Sequence, residues 1–132
     1  MNQLTNYLPT DELQRRNAAH HMQPFSAQDE LSAQGARVIT SAKGVYITDS
    51  DGNQYLDAMA GLWCVNIGYG RSELADVAAR QMRELPYYNT FFQTTHVPVI
   101  ELSERLAQLA PDNLNHVFYA GSGSEANDTN IR

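Results

Sequence analysis

The chain is poor in several residue types that would otherwise suggest a function. It has a single cysteine, Cys64, which excludes an internal disulfide framework and suits a reducing compartment. A lone buried thiol is its plain reading. No cluster of lysine and arginine occurs, and the formal charge is −6 with a pI near 5.0. Nucleic acid and acidic membrane surfaces are therefore not expected partners, because both are recognised through clustered positive charge. Long apolar runs are missing, and Met1 to Thr10 lacks a basic segment followed by an apolar one. Neither a secretory signal nor a membrane-spanning helix is indicated, and cytoplasm is the expected compartment. There is one lysine, Lys43, just before Gly44 at the approach to a predicted strand, where an exposed turn is the ordinary role.

What remains is ordinary globular composition, 42% hydrophobic and 18% charged over 132 residues, which argues against disorder. Asp11 to His21 reads as a short helix ended before Pro24. Arg37 to Thr40, Val45 to Thr48 and Gln54 to Asp57 read as three short strands. Asp49-Ser50-Asp51-Gly52-Asn53 is a hairpin signal between the last two. Ser72 can cap a helix to about Leu85, with Leu74, Val77, Ala78, Met82 and Leu85 as a core-facing stripe. A second helix is predicted from about Pro98 to Leu109, striped by Val99, Leu102, Leu106 and Leu109.

Two segments can carry chemistry. His116 to Ala120 is an apolar run that meets Gly121-Ser122-Gly123-Ser124-Glu125-Ala126-Asn127. A strand, a glycine-rich turn and a helix start make a phosphate site, because the first N–H groups of a helix have no intrahelical acceptor and lie at the positive end of its dipole. The second segment is Met59 to Gly70, an apolar loop holding the only tryptophan and three glycines. By composition alone it fits a core plug better than a pocket lining.

Ser122 to Asn127 reads Ser-Gly-Ser-Glu-Ala-Asn. Upstream, in order, stand Lys43-Gly44-Val45-Tyr46, Asp51-Gly52-Asn53, Tyr55-Leu56-Asp57-Ala58, Gly61-Leu62-Trp63-Cys64-Val65-Asn66 and Gly68-Tyr69-Gly70. Together these resemble the class III pyridoxal-phosphate-dependent aminotransferases, or omega-aminotransferases, from about Ala18 onward. Gly61 to Cys64 and Leu85 to Gln93 look most like the amine– and diamine–pyruvate enzymes of the putrescine type.

The resemblance implies an α/β fold, the N-terminal part of a fold-type I transferase. Residues 1–36 would be an arm, 37–70 an antiparallel meander with a pocket loop, and 71–132 the start of a large parallel-sheet domain. It implies pyridoxal 5'-phosphate held by Gly123, Ser124 and Ser122, each charge-assisted hydrogen bond contributing roughly 1.5–3 kcal/mol. Leu62, Trp63 and Cys64 would line the substrate pocket with Phe25 and Phe91, the latter reaching across a homodimer interface. The reaction implied moves an amino group from an amine or diamine to pyruvate or another 2-oxo acid. The family's Schiff-base lysine, the acidic partner of the pyridine nitrogen and the carboxylate-binding arginine have no counterpart here. The chain is thus expected to be an N-terminal fragment that cannot transaminate alone.

Other readings are weaker. Gly121 to Ala126 also fits the dinucleotide pattern G-x-G-x-x-A, but about 115 residues precede a motif that should open its domain. A non-catalytic, phosphate- or partner-binding role is a second alternative. His20, His21, His96 and His116 lack metal-ligand spacing, and Asp49, Asp51 and Asn53 lack the glycine placement of a calcium loop. Asn127-Asp128-Thr129 is a glycosylation sequon by chance.

Overall fold

The protein is described by a computed structural model covering residues 8–132. They divide into two compact units, one running through Asp76 and one from Val77.

In the first unit, α1 (Thr10–His20) and α2 (Gln28–Gln34) pack against each other. α1 carries acidic residues in its first turn and His20 in its last, which complements the helix dipole. Glu12 also pairs with Arg15 and Arg16 one turn on, and their guanidinium groups lower its carboxyl pKa to about 2. α2 was not expected from sequence. It is short and polar, so it shows no apolar stripe, and Gly35 ends it at φ +79°.

Three strands follow in the order β1 (Ile39–Lys43), β2 (Tyr46–Asp49) and β3 (Gln54–Leu56), all antiparallel. β1 lies further along the chain than expected, ending at Lys43 and not Thr40. Hairpin pairing sets its limits: Lys43 sits opposite Tyr46, so Gly44 and Val45 form a two-residue turn, with Gly44 at φ +60°. Lys43 is exposed at the end of β1.

The turn from β2 to β3 is built around Asp49, which is 6% exposed. Its Oδ1 accepts the N–H groups of Asp51 (3.0 Å) and Asn53 (2.8 Å), and its Oδ2 accepts the Asn53 side-chain amide (3.2 Å) and the Tyr55 hydroxyl (2.9 Å). Burial acts to raise the Asp49 pKa, but these donors outweigh it and hold the carboxyl below the usual carboxylate range. The same turn anchors α1, because Thr10 Oγ1 lies 2.6 Å from Asp51 Oδ1 and 2.8 Å from Ser50 Oγ. Gln14 donates to the Ala36 carbonyl (2.9 Å), tying α1 to the start of the sheet.

After β3 come α3 (Ala60–Trp63), a single turn, and a loop that returns to the sheet. Gly44 and Tyr69 exchange both backbone hydrogen bonds, at 3.0 and 2.8 Å. Gly68 permits this approach: it has φ +83°, and a Cβ there would lie 3.1 Å from the Gly44 carbonyl oxygen.

α4 (Ser72–Glu84) crosses the boundary between the units, with Ser72 inside its first turn. In the second unit α5 (Val97–Leu109) has Pro98 in its first turn as expected, and α6 (Gly123–Ile131) follows the glycine-rich segment. Between them, residues 116–120 belong to no helix or strand, contrary to the predicted strand. A parallel strand exists only with a pairing partner, and the described residues supply none. The Tyr119 hydroxyl, 3.0 Å from Ser103 Oγ, ties this segment to α5.

The predicted stripes form, but no layer covers them. Val77 is 51% exposed, Met82 65% and Leu109 72%. Ala36 is the one apolar residue that counts as buried among the described residues. No helix among them is long and apolar enough to cross a membrane.

Two outcomes test this account. Asp49→Ala should speed amide hydrogen exchange at Asp51 and Asn53 by about tenfold or more, measured by NMR. Since the folded pKa of Asp49 is depressed, its stabilisation is present above the unfolded value and is lost as pH falls through the folded value, so acid should reproduce the effect. Gly68→Ala should destabilise the first unit by about 1–2 kcal/mol in denaturant titration, since any Cβ at that φ is strained.

Candidate functional site

The segment expected to hold phosphate is a capped helix start. Ser122 is the N-cap of α6, in extended conformation, and its Oγ accepts the Glu125 N–H (3.2 Å). Glu125 reaches back, its Oε2 accepting the Gly121 N–H (2.8 Å). This reciprocal arrangement follows the logic of a capping box, shifted by one residue. It gives Glu125 a role that sequence reasoning left unassigned, and places its carboxylate against Gly121.

The Gly123 and Ser124 N–H groups are the first of α6 and have no carbonyl one turn earlier in the helix to meet. A Cβ at Gly123 would meet nothing within 4 Å, so the approach to these donors is open. Among the described residues no hydrogen bond engages the Ser124 hydroxyl. Two backbone N–H groups and one hydroxyl suit a phosphate, and Ser122 can contribute only its hydroxyl hydrogen, because its oxygen caps the helix.

The aromatic loop has a backbone that its composition did not reveal. Ala60, Gly61, Leu62 and Trp63 have φ of 47°, 59°, 64° and 65°. They form one turn of left-handed helix, closed by Trp63 N–H to the Met59 carbonyl (2.8 Å) and Cys64 N–H to the Ala60 carbonyl (2.9 Å). For a residue with a Cβ this conformation costs about 1–2 kcal/mol, and three of the four positions have one. Strain of this kind collects at functional sites.

Asp57 holds the turn. Its Oδ2 accepts the Gly61 N–H (2.7 Å) and the Tyr69 hydroxyl (2.6 Å), and its Oδ1 accepts the Met59 N–H (3.2 Å). The Tyr69 hydroxyl first, then the Gly61 N–H, keeps the Asp57 carboxyl below the usual carboxylate range, against a smaller opposing effect of burial. Tyr69 is raised in turn, chiefly by its bond to Asp57. The space at Gly61 is tight as well, since a Cβ would lie 2.9 Å from both the Tyr69 hydroxyl and Val65 Cγ2. Sequence reasoning noted Asp57 and Tyr69 only as letters of a motif. Their available signal was a carboxylate four residues before a glycine that needs positive φ.

Leu62 and Trp63 project from the turn, 64% and 80% exposed, and Cys64 is also exposed, its thiol donating to the Leu62 carbonyl (3.3 Å). The plain reading of Cys64 as a buried thiol is therefore corrected: it follows the exposed Leu62 and Trp63 and is itself exposed. Phe25 stands fully exposed at φ 55° between α1 and α2, and no hydrogen bond or ring contact links it to the turn. Phe91 is exposed in the second unit, its ring 6.2 Å from that of Phe92. The residues expected at the site thus fall into two sets, with Phe25, Leu62, Trp63 and Cys64 in the first unit and Phe91, Ser122, Gly123 and Ser124 in the second.

Comparison with known proteins bears on both sets. The family model for aminotransferase class III matches residues 27–132. The chain is 60% identical over 130 residues to the putrescine–pyruvate aminotransferase of Pseudomonas aeruginosa, covering 98% of this chain and 28% of that protein. It is 39% identical over 132 residues to the beta-alanine–pyruvate aminotransferase of the same organism, covering 100% and 29%. Among solved structures it resembles a thermostable (S)-enantioselective omega-transaminase from Thermomicrobium roseum, with a TM-score of 0.90 and 40% identity over 96% of this chain and 28% of that one. The chain therefore spans under a third of the length of these relatives, and follows the path of part of a fold-type I transferase. Such membership implies pyridoxal phosphate and decides against the dinucleotide reading of Gly121 to Ala126. The chain belongs to the class III aminotransferases.

Proposed function

We propose that these residues serve a pyridoxal-phosphate-dependent transamination in which an amine or diamine donates its amino group to pyruvate or another 2-oxo acid. The observation that carries this reading is the start of α6, where the Ser122 hydroxyl takes the Glu125 N–H and the Glu125 carboxylate takes the Gly121 N–H, leaving the Gly123 and Ser124 N–H groups for an anion. Similarity to a putrescine–pyruvate and a beta-alanine–pyruvate aminotransferase supports the substrate classes.

When bound, pyridoxal phosphate supplies an aldehyde that carries the amino group and a conjugated ring that stabilises negative charge at the donor carbon. The chain's own residues do the binding and shaping. Gly123 and Ser124 hold the phosphate by N–H groups and the Ser124 hydroxyl, and Ser122 adds its hydroxyl hydrogen. Leu62 and Trp63 offer an apolar, aromatic wall that favours amines with apolar bodies, with Cys64, Phe25 and Phe91 completing the pocket. Lys43, exposed at the end of β1, does not carry the cofactor. The activity accordingly belongs to a protein that brings these residues together with a cofactor-binding lysine. In that protein residues 8–36 belong to the expected arm, whose residues 1–7 lie outside the described residues, 37–70 form the meander with the pocket turn, and 71–132 the start of the cofactor domain. It acts in the cytoplasm as a homodimer, Phe91 facing the partner's site, without nucleic acid or membrane as partner.

In full-length protein, Ser124→Ala combined with Gly123→Val should weaken cofactor binding by about tenfold or more, since two charge-assisted bonds are lost or blocked. Lys43→Ala should leave binding unchanged. Cofactor retention after dialysis, read by visible absorbance, checks both, and equal retention in the two variants defeats the phosphate assignment. Putrescine with pyruvate is the substrate pair for the accompanying assay.

A further inference from the structure

A left-handed turn bearing alanine, leucine and tryptophan does not arise from local preference. It is imposed from outside. Asp57 lies before the turn and binds the N–H groups of Met59 and Gly61, while Tyr69, beyond the turn, closes on the same carboxylate. Tyr69 is itself fixed by the paired backbone hydrogen bonds with Gly44, the residue that turns β1 into β2. A continuous chain of contacts therefore runs from the sheet through Tyr69 and Asp57 to Gly61.

We propose that Asp57 and Tyr69 are positioning residues for the amine donor: they lock residues 60–63 in the left-handed turn and thereby set where Leu62 and Trp63 stand as a wall. The proposal rests on the reading of Leu62 and Trp63 as that wall. Its physical content is directional. A residue that changes from left-handed to right-handed backbone re-aims its Cα–Cβ bond, so a relaxed turn would turn both side chains away from the direction they now take. The bonds from Tyr69 and Gly61 hold the Asp57 carboxyl below the usual carboxylate range, in line with a clamp made of three donors on one carboxylate. The packing is close enough to transmit the constraint, since a Cβ on Gly61 would lie only 2.9 Å from the Tyr69 hydroxyl.

The test uses full-length holoenzyme with Tyr69→Phe, Asp57→Asn, Leu62→Ala and Trp63→Ala. Two amines of one chemical type, 1-phenylethylamine as the bulky donor and 2-aminobutane as the small one, report the wall. Hydrogen exchange of the peptide spanning residues 58–65 reports the turn. Tyr69→Phe, the mildest change, should speed that exchange and shift the bulky-to-small ratio of kcat/KM by about tenfold, with cofactor absorbance unchanged. Asp57→Asn should shift it in the same direction. If Trp63→Ala and Leu62→Ala alter the ratio while neither clamp variant does, the positioning role is overturned and the wall reading stands. Should the wall variants leave the ratio unchanged, the wall reading itself fails and takes the proposal with it. An equal fall for both amines with loss of cofactor absorbance would make the clamp a merely structural support, which also overturns the proposal.

Discussion

A carboxylate that leaves water must be met by hydrogen-bond donors, and in this chain two aspartates use that requirement to fold the backbone around themselves. Asp49 gathers donors from Asp51, Asn53 and Tyr55 and so makes the β2–β3 turn. Asp57 gathers donors from Met59, Gly61 and Tyr69 and so makes the turn that presents Leu62 and Trp63. Everything else in the first unit is referenced to these two points. α1 is fastened to the Asp49 turn by Thr10, and the loop after the Asp57 turn returns to the sheet at Gly44. Apolar burial contributes less here than polar convergence, as the exposure of the side chains along α4 and α5 indicates.

Those exposed stripes have an energetic meaning. Fully burying one leucine, valine or methionine side chain stabilises a fold by about 1.5–3 kcal/mol, and about half of that gain is unrealised at Leu74, Val77 and Leu102 and more at Met82 and Leu109. The helices form because their periodicity and caps favour them, while their lasting stability requires a covering layer. The run His116 to Ala120 makes the same point for a sheet. Its composition favours a strand, and only a neighbouring strand can turn that preference into pairing.

How much was legible in the sequence follows from which forces were local. α1, α4 and α5 could be read because periodicity and proline placement act within a few residues. The β2–β3 hairpin was legible from Asp51-Gly52-Asn53. The limits of β1 were not, since they depend on where Lys43 meets Tyr46 across the hairpin. α2 escaped notice because Gln28–Gln34 has no apolar face to announce it. The helix start at Ser122, Gly123 and Ser124 was legible from the glycine-rich segment, whereas the bond from Gly121 to Glu125 required coordinates. The least legible element was the turn at Ala60 to Trp63. Three of its four residues disfavour the conformation they adopt, and the group that enforces it lies outside the turn.

The handedness of that turn narrows the alphabet from which its residues can be rewritten. At positive φ, β-branched side chains are the worst accommodated and glycine and asparagine the best. Replacing Leu62 by valine or isoleucine, a small change in volume, would be opposed by the backbone, whereas trimming Trp63 to glycine would relieve it. Sequence change at these positions would therefore reach small or polar residues by short paths and find compact branched side chains closed to it.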